Sequence, residues 1–322
     1  MTAREEAGPP RQAAARAGRW RDLVRRTVRE FKEDDLPDRA AALTYYSVLS
    51  LFPGILVVVS LVGLGGDSLS RSVIDEVGAL LPGEVRQVLT GALEELHRAR
   101  LGAGVVALAG FAAAVWSASR YVAAFMRASN VIWDVPEGRP LWKTMPLRLG
   151  ITLLTLVLLA VLAVVVVVSG PVARFAGELI GLGPQAVAVW DLAKWPVILL
   201  AASLLLALLY WAAPNARRRF RWINPGGLLA LLLWLAASAL FALYVANFGS
   251  YNKIYGSLAA VIIFLVWLWI GNTAILLGAE LNAELERGRR IAQGHPPDVE
   301  PYVELRDTRA IPGTANGGRH DG

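Results

Sequence analysis

Long apolar segments alternate with short charged connections along the chain. Six segments contain no Asp, Glu, Lys or Arg, and they are 19 to 31 residues long. They cover residues 40–66, 101–119, 149–173, 195–216, 222–252 and 254–279. About 20 consecutive apolar residues in a helix are enough to cross the hydrocarbon core of a bilayer. The pattern therefore predicts an all-α, polytopic membrane protein with six transmembrane helices.

Weaker helical patterns lie outside these segments. Between residues 20 and 33, apolar positions recur at helical spacing with arginines between them, which is typical of a short helix lying on the membrane surface. Residues 73–100 contain a second amphipathic segment, which is expected on the outer side. Residues 1–19 and 288–322 have no such pattern and are predicted to be disordered. The six-helix domain is therefore predicted to cover residues 20–287.

The connections between the segments differ in charge according to the side they face. If the N-terminus is inside, 24 lysines and arginines lie on the inner side and six lie on the outer side. Cytoplasmic connections of membrane proteins carry an excess of Lys and Arg. The distribution therefore predicts six spans in a bacterial plasma membrane, with both termini in the cytoplasm.

Composition supports a membrane protein and narrows the chemistry. Apolar residues make up 55% of the chain and charged residues 18%, which an ordinary soluble protein does not combine. The net charge of +6 follows from the inner connections, so we expect membrane lipids and not nucleic acid as partners. The chain has no cysteine, and its three histidines have no metal-ligand spacing. We therefore expect neither a metal nor a cofactor.

Four charged residues are expected at one depth, near the inner surface. Asp38 and Arg39 directly precede the first apolar segment, and Arg120 and Glu280 directly follow the second and the sixth. Acids and bases at one depth in a membrane are expected to pair, since an unpaired charge there is costly. We interpret them as a cytoplasmic gate or a head-group site. The alternative is that they are interface anchors whose side chains reach to water.

Proline in the first segment suggests a second group of candidates. Pro53 removes a backbone donor and collides with the preceding turn, so the helix is predicted to be kinked or broken there. Broken helices line ligand sites in transporters. The candidate cavity residues are Tyr45, Tyr46, Ser47 and Ser50, together with Pro53. A proline kink that serves packing alone is an equal alternative.

Further polar and aromatic residues complete the candidate substrate pathway. Trp116 and Ser117 lie near the inner end of the second segment, and Asn272 is expected near the membrane midplane. The turn between the last two segments holds the outer candidates Asn247, Tyr251 and Tyr255. Packing, an aromatic belt at the membrane surface and an interhelical hydrogen bond are the alternative interpretations.

Several of these motifs occur together in a known family. The runs DRAAALTYYSVLSLFPG, WSASRYVAAFMRASNVIWDV, PNARRRFRWINPGG and LLGAELNAELER, in that order, make the chain resemble the YihY/BrkB family of bacterial inner-membrane proteins over residues 20 to 287. The resemblance implies six helices in the plasma membrane, and some members have been proposed as exporters or ion antiporters. The motif residues it implies here are Tyr45, Tyr46, Pro53, Trp116, Ser117, Arg120, Asn130, Trp133, Pro214, Tyr255, Gly256, Gly278, Glu280 and Asn282.

The family has also carried the label ribonuclease BN, which the residues do not support. Cleavage of RNA needs acid and base groups at one phosphate or a cage of metal ligands. The inner connections offer only Asp134 and Glu137 as acids, and the three histidines are scattered at His97, His295 and His320. We therefore expect no enzyme activity, and no ribonuclease activity in particular.

Two function classes remain. The first is transport or export of a small solute, ion or amphiphile, and the scarcity of charge at the midplane favours a neutral, zwitterionic or lipid-like substrate. The chain contains no G-x-x-x-x-G-K-[ST] motif, so transport would use no ATP hydrolysis of its own. The second is a structural or assembly protein of the cell envelope that has no substrate.

Overall fold

A computed structural model describes residues 9–64, 103–167, 184–248 and 252–312. These residues form seven helices and no β-strand longer than a single bridge, at Ala216 and Leu305. The helices are α1 (Pro9–Glu33), α2 (Leu36–Leu64), α3 (Ala103–Ile132), α4 (Leu141–Val167), α5 (Pro184–Ala212), α6 (Pro225–Phe248) and α7 (Asn252–Ala292). The predicted all-α fold is confirmed.

Five segments of the described residues are long and apolar enough to cross a membrane. They are Leu108–Ile132, Leu141–Leu159, Gln185–Ala212, Pro225–Tyr244 and Val261–Ala292. Large apolar side chains such as Leu108, Leu200 and Leu240 are exposed on these helices, as contact with lipid requires. The protein is therefore a multi-pass membrane protein, whereas the count of six spans and the orientation stay predictions.

The helices divide into two compact units, and the first contains the α6–α7 pair. This unit comprises Met1–Ala41, Met126–Pro140 and Leu206–Gly322. The two helices approach closely where Gly226 faces Gly278, because neither residue has a side chain to hold the backbones apart. One helix turn before Gly278, the carbonyl of Ile275 accepts a hydrogen bond of 2.7 Å from the Tyr210 hydroxyl. The pair gives the first unit a rigid centre.

The second unit comprises Ala42–Phe125 and Leu141–Leu205. Leu43 and Phe125 are fully buried in it. A polar contact joins two of its helices, since Nη2 of Arg148 in α4 donates to the hydroxyl of Ser119 in α3 at 2.8 Å. One turn further along α4, the Thr152 hydroxyl donates to the Arg148 carbonyl at 2.8 Å. Arg148 and Ser119 therefore form a polar link between α3 and α4.

Helical structure extends into both segments that the sequence predicts to be disordered. Helix α1 begins at Pro9, inside the predicted disordered segment 1–19, and α7 continues to Ala292, beyond the predicted boundary at residue 287. Residues 301–312 then fold back on two connections of the first unit. The physical reason is that Asn215 forms hydrogen bonds with the backbone of this segment. The periodicity of apolar residues does not reveal such bonds. The predicted amphipathic segment 73–100 lies outside the described residues.

The predicted surface helix is the C-terminal part of α1, and it packs on α7. Leu23 and Thr27 are buried, whereas Trp20, Val24 and Val28 are exposed on another face of the helix. The exposed apolar residues are spaced by four, so they form one stripe along α1. Its contact with the membrane surface stays a prediction.

We expect Gly226→Ala to destabilise the protein by about 1–3 kcal/mol, which is the usual cost of overpacking. A methyl group there would lie 1.8 Å from the carbonyl oxygen of Gly278, so one backbone would have to move. Thermal unfolding of the purified protein in detergent measures the effect. Gly288→Ala in α7 is the control, because a methyl group there meets nothing within 4 Å. Equal unfolding temperatures for the two variants would contradict the close approach.

Candidate functional site

The connection between α5 and α6 carries the best candidate site. It ends at Asn224, whose side-chain oxygen accepts a hydrogen bond of 2.6 Å from the Gly227 N–H and so caps α6. Pro225 follows at the first helical position, where its missing N–H costs nothing. Asn282 of α7 donates to the same Asn224 oxygen at 2.8 Å and accepts from the Gly226 N–H at 3.0 Å. The start of α6 is therefore fixed to α7.

A cavity of about 560 Å³ lies beside this connection, within the first unit. Its charged lining consists of six arginines and one carboxylate, that of Glu286. We call it the arginine pocket; its arginines are Arg217, Arg218, Arg219, Arg221, Arg289 and Arg290. A cavity of this size matches a small-molecule site, and its charge suits an anion.

Arg218 is the most constrained arginine of the pocket. Its guanidinium lies 3.8 Å from the centre of the Trp133 ring, and its Nη2 donates to the carbonyl of Tyr210. Its Nε is buried and has no hydrogen-bond partner among the described residues. Burial, with repulsion from Arg306 as the second cause, lowers the pKa of Arg218 to about 9. A bound anion would supply both the missing partner and the missing opposite charge.

The carboxylates near the pocket do not balance its arginines. Glu286 is shared by Arg289 at 2.9 Å and Arg290 at 3.3 Å. Arg217 pairs with Glu304 at 3.6 Å, but both side chains are 75% exposed, so this pair contributes little. Among the described residues no ion pair forms with the three other arginines of the pocket, which are Arg218, Arg219 and Arg221. The pocket therefore keeps an excess of positive charge.

Aromatic residues border the pocket. Trp211 contacts Phe220 edge to face, with ring centres 5.7 Å apart, and Phe220 contacts Trp222 in the same way at 6.3 Å. Trp222 and Ile223 are 69% and 77% exposed beside the arginines. A charged pocket next to exposed apolar side chains suits a molecule with an anionic head and an apolar chain.

A buried hydrogen-bond network supports the pocket from the opposite side of the connection. Asn215 is fully buried, and its amide donates to the carbonyls of Pro136 at 3.1 Å and Asp307 at 2.8 Å. Its N–H donates to the side-chain oxygen of Asn130 at 2.8 Å, and Asn130 in turn donates to Glu137 at 2.9 Å. The network joins the end of α3, the start of the connection and the C-terminal segment.

The four residues of the predicted inner charge cluster lie in different surroundings. Asp38 is exposed, Arg39 donates from Nε to the carbonyl of Asp34 at 3.0 Å, and Glu280 is buried. Arg120 belongs to the second unit, where its guanidinium lies 5.6 Å from the Trp116 ring centre. No hydrogen bond joins Asp38, Arg39 and Glu280 among the described residues, and the gate stays a prediction.

The candidates of the first span lie on an unbroken helix. Helix α2 continues through Pro53, the side chain of which lies outside the described residues. The Ser47 hydroxyl donates to the Leu43 carbonyl at 2.9 Å and the Ser50 hydroxyl to the Tyr46 carbonyl at 2.8 Å. Both serines are therefore engaged within their own helix, and neither bonds the Leu49 carbonyl that Pro53 leaves free.

The remaining candidates are placed as follows. Tyr45 is 61% exposed and touches Tyr46 with ring centres 5.4 Å apart. Trp116 is exposed, Ser117 is half-buried and Asn272 is buried. The outer candidates lie outside the described residues: Tyr251 entirely, and the side chains of Asn247 and Tyr255. Their roles stay predictions.

Sequence reasoning missed the arginine pocket, although a signal for it existed. The positive-inside rule gives a complete account of four of its arginines, so they do not stand out in the sequence as ligand-binding residues: Arg217, Arg218, Arg219 and Arg221. Their interleaving with Phe220 and Trp222 is a pattern of charge beside aromatics that also suits ligand binding. The resemblance did name Trp133 and Asn282, which line the pocket, but gave them no role. Asn215 had no signal, because a single Asn in a loop is ordinary.

Glu137, one of the two acids considered for ribonuclease chemistry, is engaged by neighbouring side chains. Glu137 is bonded by Arg139 at 2.6 Å and by Asn130, and these contacts lower its pKa although burial alone would raise it. Within the described ranges, no group of three or more His, Asp or Glu residues could hold a metal ion.

Comparison with known proteins identifies the family. The sequence profile of the family described as Virulence factor BrkB matches residues 27–301. The chain belongs to the BrkB family. The match contains every residue that lines the arginine pocket. It ends at residue 301, where the segment 301–312 begins.

Relatives of this BrkB-family chain are named as membrane proteins or as ribonuclease-like. The ribonuclease-like protein YfkH of Bacillus subtilis (strain 168) is 28% identical over 267 residues, covering 82% of this chain and 93% of the relative. UPF0761 membrane proteins of Alkalilimnicola ehrlichii and Chromohalobacter salexigens are 35% and 33% identical, covering 79% and 84% of this chain. The chain spans 56% and 66% of the length of these two relatives. No solved structure matches the chain.

Two aspartates of the BrkB-family chain give it a pH dependence. Asp34 lies between α1 and α2, and Asp134 follows α3. Partial loss of hydration first, and nearby carboxylates second, raise the pKa of Asp34 to about 6 and that of Asp134 to about 7. A carboxyl group with a raised pKa binds its proton more tightly in the folded state, so folding is favoured at low pH. This stability is lost as pH rises from the ordinary pKa of 3.8 towards 6 and 7.

We expect Asp134→Asn to be more stable than the wild type at pH 8 and equal to it at pH 4. The difference should be no more than about 1 kcal/mol, because the Asp134 side chain is exposed and solvent screens its charge. Asn tolerates the left-handed backbone at this position, where φ is 50°. Unfolding temperatures across this pH range test the prediction. Asp35→Asn, at a residue with φ of 51°, is the control, and an identical pH profile for both variants would contradict it.

Proposed function

We propose that this BrkB-family protein transports or exports an amphiphile with an anionic head group across a bacterial plasma membrane, with both termini in the cytoplasm. The observation that carries the proposal is the arginine pocket, which combines six arginines with one carboxylate. The apolar side chains of Trp222 and Ile223 beside it would contact the chain of the amphiphile. The arginines would bind its head group, most favourably a phosphate.

The position of the pocket supports a substrate that comes from the membrane. It lies where α5 ends and α6 begins, which is the inner membrane surface in the predicted orientation. A phosphate group has the charge that the pocket lacks. The backbone N–H groups of Gly226 and Gly227 at the start of α6 already have partners, so recognition falls to the arginine side chains. Energy would come from a gradient, since the chain has no ATP-binding loop motif.

A structural protein of the envelope is the alternative, and Arg218 argues against it. An arginine with a buried, unbonded Nε and no carboxylate partner destabilises a fold. A protein without a ligand gains nothing from such an arginine. In a binding protein, the free Nε of Arg218 would donate a hydrogen bond to the ligand.

A nuclease is not favoured, although the relative YfkH is named ribonuclease-like. The carboxylate of Glu137 is held by Arg139 and Asn130, so it is not free to act as a general base. We propose that the chain is not an enzyme. Purified protein that cleaves RNA, and loses this activity on Asp134→Asn or Glu137→Gln, would contradict the proposal.

We expect the protein in liposomes to move a labelled phosphatidylglycerol between leaflets, and the double variant R219Q/R221Q to reduce the rate about tenfold or more. Hydrogen bonds to charged groups contribute about 1.5–3 kcal/mol each, and 1.4 kcal/mol corresponds to a factor of ten. Both arginines are exposed, so their replacement leaves packing intact. Loss of label accessible to a membrane-impermeant reductant measures the rate.

Arg309→Gln is the matched control, because Arg309 is an exposed arginine that pairs with Asp307 away from the pocket. It should move the lipid at the wild-type rate. Arg218→Gln tests the buried position and is expected to be at least as severe as the double variant. If no labelled lipid moves faster than in protein-free vesicles, the transport proposal is wrong. An equal loss of rate in Arg309→Gln would show that surface charge alone matters.

The orientation can be tested directly because the chain has no cysteine. We expect a cysteine introduced by Arg219→Cys to react with a membrane-impermeant maleimide only after cells are permeabilised. A cysteine introduced by Ser70→Cys, in the connection predicted to be outside, should react in intact cells. Reaction at both positions in intact cells, or the reverse order, would contradict the predicted topology.

A further inference from the structure

Glu280 in α7 is a buried carboxylate without a full set of partners. The residue is 2% exposed, and its Oε2 has no hydrogen-bond partner among the described residues. Glu284, one turn further along the same helix, is equally buried but is paired with Arg26 at 3.0 Å and Arg287 at 3.3 Å. The two glutamates therefore differ in partners rather than in burial.

The charges that act most strongly on Glu280 are all negative. They come from α1, from the turn after it, from the residue after α3 and from α7 itself, and they are Glu30, Asp34, Asp134 and Glu284. We call these four residues and Glu280 the carboxylate cluster. Helix α6, which packs most extensively on α7, contains no charged residue. Glu300 of the C-terminal segment adds a further negative charge near Asp34 and Asp134.

The cations near the carboxylate cluster pair with its other members, and among the described residues none forms an ion pair with Glu280. Arg26 and Arg287 pair with Glu284, and Arg287 also contacts Glu30 at 3.3 Å. Arg39 donates to the backbone carbonyl of Asp34. An ionised carboxylate that is buried, incompletely bonded and faced by other carboxylates is costly, and a proton removes the cost.

From this geometry we propose that Glu280 is a proton-binding site, occupied at neutral pH, whose proton is exchanged with the cytoplasm during transport. Asp34 is half-buried and Asp134 is exposed, and the charges of both act on Glu280. Their pKa values of about 6 and 7 suit groups that pass protons at physiological pH. The binding site stands on the structure alone, whereas its coupling to transport rests on the proposed function.

Infrared spectroscopy of the purified protein tests the proton site without any transport assay. We expect a carboxylic-acid C=O band at pH 8, where Asp34 and Asp134 are mainly ionised, and this band should disappear in Glu280→Gln, which has the shape of the protonated acid and should fold. Glu284→Gln is the matched control and should keep the band, because an ion-paired carboxylate is ionised and does not contribute to it. A wild type without the band, or Glu280→Gln with it, would overturn the site.

A stability measurement gives a second readout of the same site. Unfolding exposes Glu280 to water, where it ionises, whereas the folded state keeps it protonated, so the unfolding temperature of the wild type should continue to fall as pH rises above 7. Glu280→Gln cannot ionise and should keep its unfolding temperature there. Parallel pH profiles for the two proteins would overturn the proposal.

Flux in liposomes tests the coupling. One proton exchanged per substrate and one pH unit of gradient should support about tenfold accumulation in the wild type. Glu280→Gln should lose this response while its exchange without a gradient persists. A wild type that responds to sodium but not to pH would overturn proton coupling. If no flux is found in any protein while the infrared band behaves as expected, the transport function is wrong and the proton site stands.

Discussion

The connections at the helix ends depend on side-chain amides that bond backbone groups. In a membrane protein every backbone polar group near the lipid needs a partner inside the protein, because water is not available to supply one. Asn215 bonds two carbonyls of other segments, and Asn224 and Asn282 share the first N–H groups of α6. Without these amides the loop that carries the pocket arginines would have no fixed shape. The shape of the pocket therefore follows from the hydrogen bonds that these amides form with the backbone. The arginines add positive charge to a connection that is already fixed by those bonds.

Two places in the first unit hold an excess of charge of one sign. The arginine pocket has six arginines and one carboxylate, while Glu280 is surrounded mainly by other carboxylates. Pairing the two sets would be the more stable arrangement for a fold that needed only to persist, since unpaired buried charge is expensive. Arg26 and Glu284 show that the same helices do form close ion pairs where nothing else is required of them. Groups with shifted pKa values and missing hydrogen-bond partners are frequent at functional sites. The excess of positive charge in the arginine pocket and of negative charge around Glu280 is the physical basis for proposing two such sites here.

The sequence predicted the helices well and the site poorly, for related physical reasons. Apolar runs such as 222–252 predict a helix because lipid imposes one requirement on every residue in them, so the signal accumulates along the run. A pocket depends on a few contacts between distant residues, such as Arg218 with Trp133, and no local pattern reports these. The tail is the same case, because residues 301–312 have no helical periodicity and bond to partners almost a hundred residues away, among them Asn215. Pro53 illustrates the converse, in that a local rule predicts a kink or a break: α2 is not broken there, and the kink stays a prediction.

Helix α7 connects the two assigned sites. Successive residues advance by about 100° around an α-helix, so Glu280, Glu284 and Arg287 share one face, and Asn282, Glu286 and Arg289 lie on the opposite face. The first face is turned to α1, where Arg26 holds Glu284, and the second lines the arginine pocket. Under the proposed proton exchange, ionising Glu280 would alter the packing of α7 on α1, and a displaced helix would move both of its faces. Asn282 carries any such displacement directly to the start of α6, because it bonds both Asn224 and the Gly226 N–H. Under the two proposals, a proton on Glu280 and an anion in the pocket would both act on α7, and each would affect the binding of the other only through that helix.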